Sequence, residues 1–175
     1  MREILRKYPK CEFGRELFPG NPIPILRVSG GKTTADVADW GYLTQKGKRV
    51  YNARSETLLE KPLFGRDFVQ NRCVIPVTGF CEWDGDGTGW DFLPQEEEML
   101  YLAGVCRKKT EGWEATVVTE HASGCVGEIH HRTPLILSGE NLRQWLYDEG
   151  QARQFLEEAK ERVLLKRKKM EGETL

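Results

Sequence analysis

RCVIPVTGFCEW, residues 72–83, holds two strand-like runs, residues 73–77 and 80–83, with two residues between them. The first run is continuously apolar and rich in β-branched side chains, and the second, as a strand, places Phe80 and Glu82 on one face and Cys81 and Trp83 on the other. Strands that are neighbours in sequence and joined by short connections are typical of antiparallel sheets. This stretch therefore predicts an antiparallel sheet.

Strand-like runs continue on both sides of this pair, at residues 25–28, 50–53, 99–105, 115–119 and 135–137. The glycine- and acid-rich segment 84–98 predicts an exposed hairpin loop rather than a domain boundary. From Ser138 onward the apolar residues recur at helical spacing, so the C-terminus is predicted to be helical, with basic residues 166–169 as its solvated end. The fold class is predicted as α+β, with a mainly antiparallel, curled or barrel-like sheet and peripheral helices.

The composition indicates one globular domain over residues 1–175. The chain is 39% hydrophobic and 30% charged, and no apolar run approaches the ~20 residues that span a bilayer. The first residues lack a secretory signal, so we expect a cytoplasmic protein, associated with the bacterial nucleoid when bound to DNA. Five cysteines without a C-x-x-C pair argue against a disulfide framework or a zinc knuckle.

Two short stretches place polar side chains beside apolar ones. In YNARSET, residues 51–57, Asn52 and Arg54 share one face of an extended segment, although the same letters also fit a capped turn. In GFCEWD, residues 79–84, Glu82 shares a face with Phe80 and is opposite in direction to Cys81. A carboxyl group beside an aromatic ring is a candidate for a raised pKa and for acid/base catalysis, and the alternative is a solvated strand residue.

The third stretch is GEIHHRTPLIL, residues 127–137. In an extended chain, His130 and His131 point to opposite faces, which argues against a metal site made by this pair. One histidine near a carboxylate would instead transfer protons near neutral pH. We therefore expect no metal and no cofactor.

Taken together in order, WGY at Trp40, NARSET at Asn52, RCVIPVTGFCEW, EIHHRTPLIL and WL at Trp145 resemble the SOS response-associated peptidase (SRAP) family. The resemblance covers roughly residues 16–146. It implies a protein that binds single-stranded DNA, joins covalently to abasic sites through an N-terminal cysteine, and has autoproteolytic activity.

The resemblance assigns roles to individual residues of this chain. It implies Asn52, Glu82 and His130 as catalytic residues: Asn52 positions the reacting N-terminus, Glu82 is the acid/base, and His130 passes a proton to the sugar. The residues expected to contact DNA are Arg54, Pro19, Gly20, Trp40, Thr119 and Arg132. His131 stands where the family usually has aspartate.

The mechanism that the resemblance implies needs a free amine and a thiol on one residue. The amine attacks the aldehyde of an opened abasic site, and the thiol then closes a thiazolidine ring. This chain begins Met1-Arg2, and Cys11 has no free α-amine. Two explanations stay open: the chain starts late and lacks the family's N-terminal segment, or it has lost the cross-linking step.

Two other functions remain as alternatives. One is non-covalent binding of single-stranded DNA, and the other is a Cys/His/Glu peptidase acting in trans. The expected partner is single-stranded DNA containing abasic sites, without a membrane, and the protein is expected to be a monomer. Lys46, Lys48 and Arg49 stand where the family has paired tryptophans, so electrostatic contact with DNA is expected to replace stacking there.

Overall fold

The computed structural model describes residues 16–95, 98–157 and 164–168. The strands are β1 (Pro22–Ser29), β2 (Lys32–Trp40), β3 (Tyr42–Leu43), β4 (Arg49–Val50), β5 (Asn52–Arg54), β6 (Arg72–Val77), β7 (Phe80–Trp83), β8 (Gly89–Pro94), β9 (Leu100–Lys108), β10 (Trp113–His121), β11 (Arg132–Pro134), β12 (Ile136–Leu137) and β13 (Leu164–Lys168). The helices are α1 (Gly65–Gln70), α2 (Gly124–Gly127), α3 (Asn141–Tyr147) and α4 (Glu149–Glu157), and a 3₁₀ turn covers Ser55–Thr57.

The main sheet curls until it meets itself. Its strands follow the order β11-β10-β2-β1-β6-β9-β12, and β10 also pairs with β9, which closes the path through β10, β2, β1, β6 and β9 into a ring. Most pairs are antiparallel, whereas β10 runs parallel to β2 and to β5. The predicted α+β class with a curled, mainly antiparallel sheet is therefore confirmed.

Alternating side chains of the strands enter two separate apolar clusters. In β6, Cys73 and Ile75 belong to one cluster and Val74 to the other, as the two-residue period of a strand requires. The cluster containing Val74 also receives Phe68 of α1, Trp145 of α3 and Phe155 of α4. The helices therefore cover one side of the sheet, as predicted.

The helices are joined to β6 by buried polar contacts. Arg72 donates from Nε to the carbonyl of Trp145 at 2.6 Å and from Nη1 to that of Phe68 at 2.7 Å. The indole of Trp145 is fully buried and donates to the carbonyl of Cys73 at 2.9 Å. The two bonds from Arg72 satisfy carbonyl groups in the last turns of α1 and α3, and the bond from Trp145 ties α3 to the backbone of β6.

A second, three-stranded sheet has the order β13-β8-β7, with antiparallel pairs throughout. Its β7–β8 turn is closed by the Asp84 carboxylate, which accepts from the backbone N–H groups of Asp86 and Thr88. Gly87 has φ +79°, a value that L side chains rarely adopt. The sequence DGDGT, residues 84–88, therefore explains why the chain reverses direction here.

Several strands were not predicted from the sequence, among them β8, β13 and β2. Segment 84–98 was expected to be an exposed hairpin loop; it does contain the turn of the β7–β8 hairpin, but Gly89–Pro94 form the strand β8, with Phe92 buried. Residues 166–169 were expected to end a helix, but Lys166 to Lys168 lie in β13. Strand β2 was also missed, because Asp36 and Asp39 interrupt its apolar pattern; they pair with Arg27 and Lys109.

Met1, Arg2 and Cys11, on which the expectations about the N-terminal chemistry depend, lie outside the described residues. That residues 1–175 form one domain stays a prediction. Among the described residues, no helix combines the length and the apolar composition that crossing a membrane requires.

Candidate active site

Glu82 and His130 come together from distant parts of the chain. Glu82 Oε2 lies 3.6 Å from His130 Nδ1, and their side chains are 25% and 33% exposed. Both groups are therefore partly shielded from water while remaining accessible from one side. This is the carboxyl–imidazole arrangement that the sequence suggested for proton transfer.

Strand β7 holds Glu82 beside aromatic side chains. Glu82 lies opposite Trp90 in β8, and Phe80, which shares its face, stacks on Phe92 with ring centroids 5.1 Å apart. Burial raises the pKa of the Glu82 carboxyl, and the neighbouring His130 acts in the opposite direction. Removal from water is the larger effect, so a larger fraction of Glu82 is protonated than for an exposed glutamate at the same pH.

His130 is held by the chain that follows α2. Its backbone N–H donates to the carbonyl of Val126 at 2.9 Å, and its Nδ1 lies 3.2 Å from the N–H and 3.0 Å from the carbonyl oxygen of Arg132. The ring therefore has a fixed orientation toward β11. Which of these groups it bonds depends on the tautomer.

The two histidine rings do not point to opposite faces. Their centroids are 4.5 Å apart with 49° between the planes. The expectation assumed an extended chain, but β11 begins only at Arg132, and both histidines precede it in irregular backbone that bends at His131. His131 therefore lies beside the site. No group of three or more His, Cys, Asp or Glu side chains suited to a metal ion occurs among the described residues.

Asn52 and Arg54 are exposed on β5, with the buried Ala53 between them. The strand runs parallel to β10, where Val117 is the partner of Asn52 and Thr119 the partner of Arg54. The predicted common face is thus observed. That Asn52 approaches Glu82 and His130 stays a prediction.

Arg132 contacts protein groups that the sequence reasoning did not link to it. Its guanidinium donates to Glu56 Oε1 at 2.6 Å and Oε2 at 3.0 Å, and to the carbonyl of Thr119 at 2.6 Å. The hydrogen bond from Arg132 is the largest of the effects that lower the pKa of Glu56. The Arg132 side chain is 11% exposed, so contact with DNA, which stays a prediction, is limited to a small part of its surface.

Glu56 and His121 are site neighbours that the sequence analysis missed. His121 Nε2 lies 3.3 Å from Glu56 Oε1 and its side chain is 77% exposed. Glu56 follows Arg54 by two residues in the NARSET stretch. Its local sequence carried no signal for these contacts, because Arg132 and His121 reach Glu56 only through the pairing of β5 and β11 with β10.

The turn at Pro19 and Gly20 is exposed and is held by a hydrogen bond from the Gly20 N–H to the carbonyl of Trp40 at 2.9 Å. Trp40 itself donates from its indole to the carbonyl of Tyr51 at 3.1 Å and packs against an apolar cluster. Phe18, 52% exposed, is the aromatic ring that this turn presents to solvent. Sequence reasoning passed over it because a single exposed aromatic carries no pattern.

Comparison with known proteins identifies the family. The model of the family described as SOS response associated peptidase (SRAP) matches residues 7–171. The chain belongs to the SRAP family. The resemblance drawn from the motifs is thereby confirmed, and the SRAP match includes all three segments that supply Asn52, Glu82 and His130.

Curated relatives of this SRAP chain carry the name abasic site processing protein. YoqW of Bacillus subtilis is 31% identical over 119 residues, which cover 63% of this chain and 53% of YoqW. YoaM of the same organism is 28% identical over 173 residues, covering 89% and 76% of the two chains. HMCES of Gallus gallus is 34% identical over 56% of this chain and 38% of its own. The match thus spans about half the length of YoqW.

Solved structures share the fold of this SRAP chain. A protein from Bordetella bronchiseptica superposes with a TM-score of 0.78 at 22% identity, over 95% of this chain and 94% of its own. A phage-related protein from the same organism gives a TM-score of 0.74 at 19% identity, over 95% and 87%. At these identities the likeness concerns the fold alone.

Proposed function

We propose that this chain binds single-stranded DNA and processes abasic sites in it, with Glu82 and His130 as the acid/base pair. The observation that carries the proposal is the 3.6 Å approach of Glu82 to His130, on segments separated by almost fifty positions of sequence. The names of the curated relatives, which call them abasic site processing proteins, support the choice of substrate.

The half-buried position of Glu82 suits one step of the proposed reaction. An amine that attacks the sugar aldehyde gives a carbinolamine, whose hydroxyl leaves as water only after it gains a proton. Burial raises the pKa of Glu82, so the protonated form that can supply this proton is more populated. His130 lies next to it and can return a proton to the carboxylate.

DNA binding would come first and would depend on positive charge. Arg54 is exposed on β5, and Lys46 and Lys48 are exposed near β4. Each such group displaces a counterion from phosphate, so the affinity is expected to fall as salt rises. Fluorescence anisotropy with a labelled single strand at two salt concentrations measures this slope, and an affinity that does not change with salt would contradict a phosphate-binding surface.

The covalent step is tested in a chain extended so that Cys-Gly-Arg is the N-terminus after methionine removal. We expect a heat-stable adduct with an abasic oligonucleotide on a denaturing gel, and Glu82→Gln should slow its formation by roughly 10²- to 10⁴-fold. Glu60→Gln, at an exposed position, is the matched control. An adduct that forms equally fast in both variants would overturn the role of Glu82.

The same gel, together with the anisotropy titration, decides the non-covalent alternative. In that case the extended chain binds DNA in the titration but gives no adduct on the gel. A peptidase acting in trans would need a thiol near His130. Cys81 lies next to Glu82 along β7, and neighbouring strand residues point to opposite faces. Its cross-strand partner is Asp91, so the observed geometry does not favour Cys81 as a nucleophile for this pair.

A further inference from the structure

The segment that carries His130 crosses the small sheet and touches both of its outer strands. At one side His130 meets Glu82 of β7, at 3.6 Å. At the other side Glu128 forms an ion pair with Lys166 of β13. Since β8 lies between these two strands and neighbouring strands are ~4.8 Å apart, the two attachments are separated by about 10 Å.

Glu82 and Lys166 lie on the same face of this sheet. Glu82 is opposite Trp90, and the ammonium group of Lys166 lies 5.2 Å from the centroid of the Trp90 ring. Lys168, opposite Trp90 in the β8–β13 ladder, belongs to the same face. The face that carries the acid/base glutamate is thus the face that Glu128 reaches.

Strand β13 is itself firmly attached. It pairs with β8 along its whole length, from Leu164 opposite Pro94 to Lys168 opposite Trp90. On the other face of the sheet, Arg167 lies 3.5 Å from the buried carboxylate of Asp91. Position 125 of α2 also reaches the strand, because the Cys125 thiol lies 3.8 Å from the carbonyl of Leu164.

We propose that β13 is a positioning element for the site, and that Lys166 acts through Glu128 to hold His130 against Glu82. The contacts of His130 with the backbone of Val126 and Arg132 hold the segment at its own ends. The Glu128–Lys166 ion pair adds an attachment to the far strand of the small sheet, which restricts the rotation of the segment over that sheet. The Glu128 side chain is 64% exposed, so this ion pair adds little to stability. Its contribution is to orientation. The importance of this for DNA chemistry rests on the proposed function, but the positioning itself does not.

The test measures the contact between Glu82 and His130 directly. Because the charge of His130 lowers the pKa of Glu82, His130→Gln should raise that pKa, and the size of the rise reports how close the two groups are. Titration of the Glu82 carboxyl carbon by NMR gives the rise in each background. The direct electrostatic effect of Lys166 is present with and without His130 and cancels in the difference.

In the Lys166→Met background, His130→Gln should raise the pKa of Glu82 by about half or less of the increase that it causes in the natural chain. Groups in one network lose interaction energy in this way when a shared partner is removed. Lys166→Arg should restore the full increase. Lys168→Met, which removes a charge from the same strand and face, is the matched control and should leave it intact. Glu128→Gln removes the same ion pair from the other side and should reproduce the effect of Lys166→Met.

An undiminished rise in both Lys166→Met and Glu128→Gln would overturn the proposal. Thermal unfolding of each variant shows whether it is folded, and Glu128→Gln, at an exposed position, keeps the test valid if Lys166→Met does not fold. No DNA is present in this experiment. A failure of the proposed function would therefore appear in the binding and adduct assays, and a failure of the positioning element would appear here.

Discussion

Arg132 joins the end of β10 to the 3₁₀ turn at Ser55–Thr57. Its guanidinium donates two hydrogen bonds to the Glu56 carboxylate and one to the carbonyl of Thr119. Bidentate pairs of this kind fix direction as well as distance. Because Arg132 and His130 lie two residues apart, this anchor also limits where His130 can be.

We predict that Arg132→Met lowers the free energy of unfolding by about 1–3 kcal/mol, since hydrogen bonds to charged groups are lost. The pKa of Glu56 is depressed in the folded protein below its ordinary value of 4.5. The stability that this pair contributes is therefore present above that pH and is lost as pH falls through the folded value. Urea unfolding at neutral and acidic pH should show the deficit shrinking in acid.

Arg54→Met is the control for this prediction, because Arg54 is an exposed arginine on the neighbouring strand. Its effect on the free energy of unfolding should stay within about 0.5 kcal/mol. An equal deficit for Arg132→Met at both pH values would show that the Glu56 pair is not its source.

At this scale the family resemblance implied that Glu82 and His130 act in one site, whereas no sequence pattern linked Arg132 to Glu56. Strand alternation places Glu82 on the same face as Phe80, so the aromatic environment of the carboxyl group could be predicted. The partner of Arg132 depends instead on how β5 and β11 meet β10, which is a matter of sheet order. Local patterns do not contain that information.

At the scale of elements, the β7–β8 hairpin carries Glu82, and its turn determines how β7 pairs with β8. We predict that Gly87→Ala lowers the free energy of unfolding by ~1 kcal/mol, because an alanine at φ +79° is strained. Gly85→Ala in the same turn meets open space and has no positive φ, so it is the matched control. Chemical denaturation measures both, and equal losses would contradict a conformational cause.

The elements that sequence reasoning found and those it missed differ in what stabilises them. Strands β1, β6, β7, β9 and β10 carry their own apolar or alternating pattern, and each was predicted. By contrast, β13 reads LLKRK, and its charged residues find partners only after it pairs with β8. Tertiary contacts therefore decide its conformation over its sequence preference.

Across the whole molecule, Trp145 connects the helices to the sheet. It is fully buried, meets Phe68 edge-on with ring centroids 5.8 Å apart, and bonds the carbonyl of Cys73. We predict that Trp145→Ala lowers the free energy of unfolding by about 3–5 kcal/mol. Trp83→Ala should cost much less, because that side chain is 50% exposed. Urea titration compares the two, and similar losses would refute the central position of Trp145.

The closed ring of the main sheet has a consequence for synthesis of the chain. Strand β2 pairs with β1 on one edge as soon as both have left the ribosome, but its other edge waits for β10, where Trp113 lies opposite Ala38. Until then the nascent chain presents an unpaired strand edge to its surroundings, the kind of surface on which chains aggregate. Closure through such distant segments is slow compared with hairpin formation. Protection by chaperones during translation should therefore matter most in the interval between the emergence of β2 and that of β10.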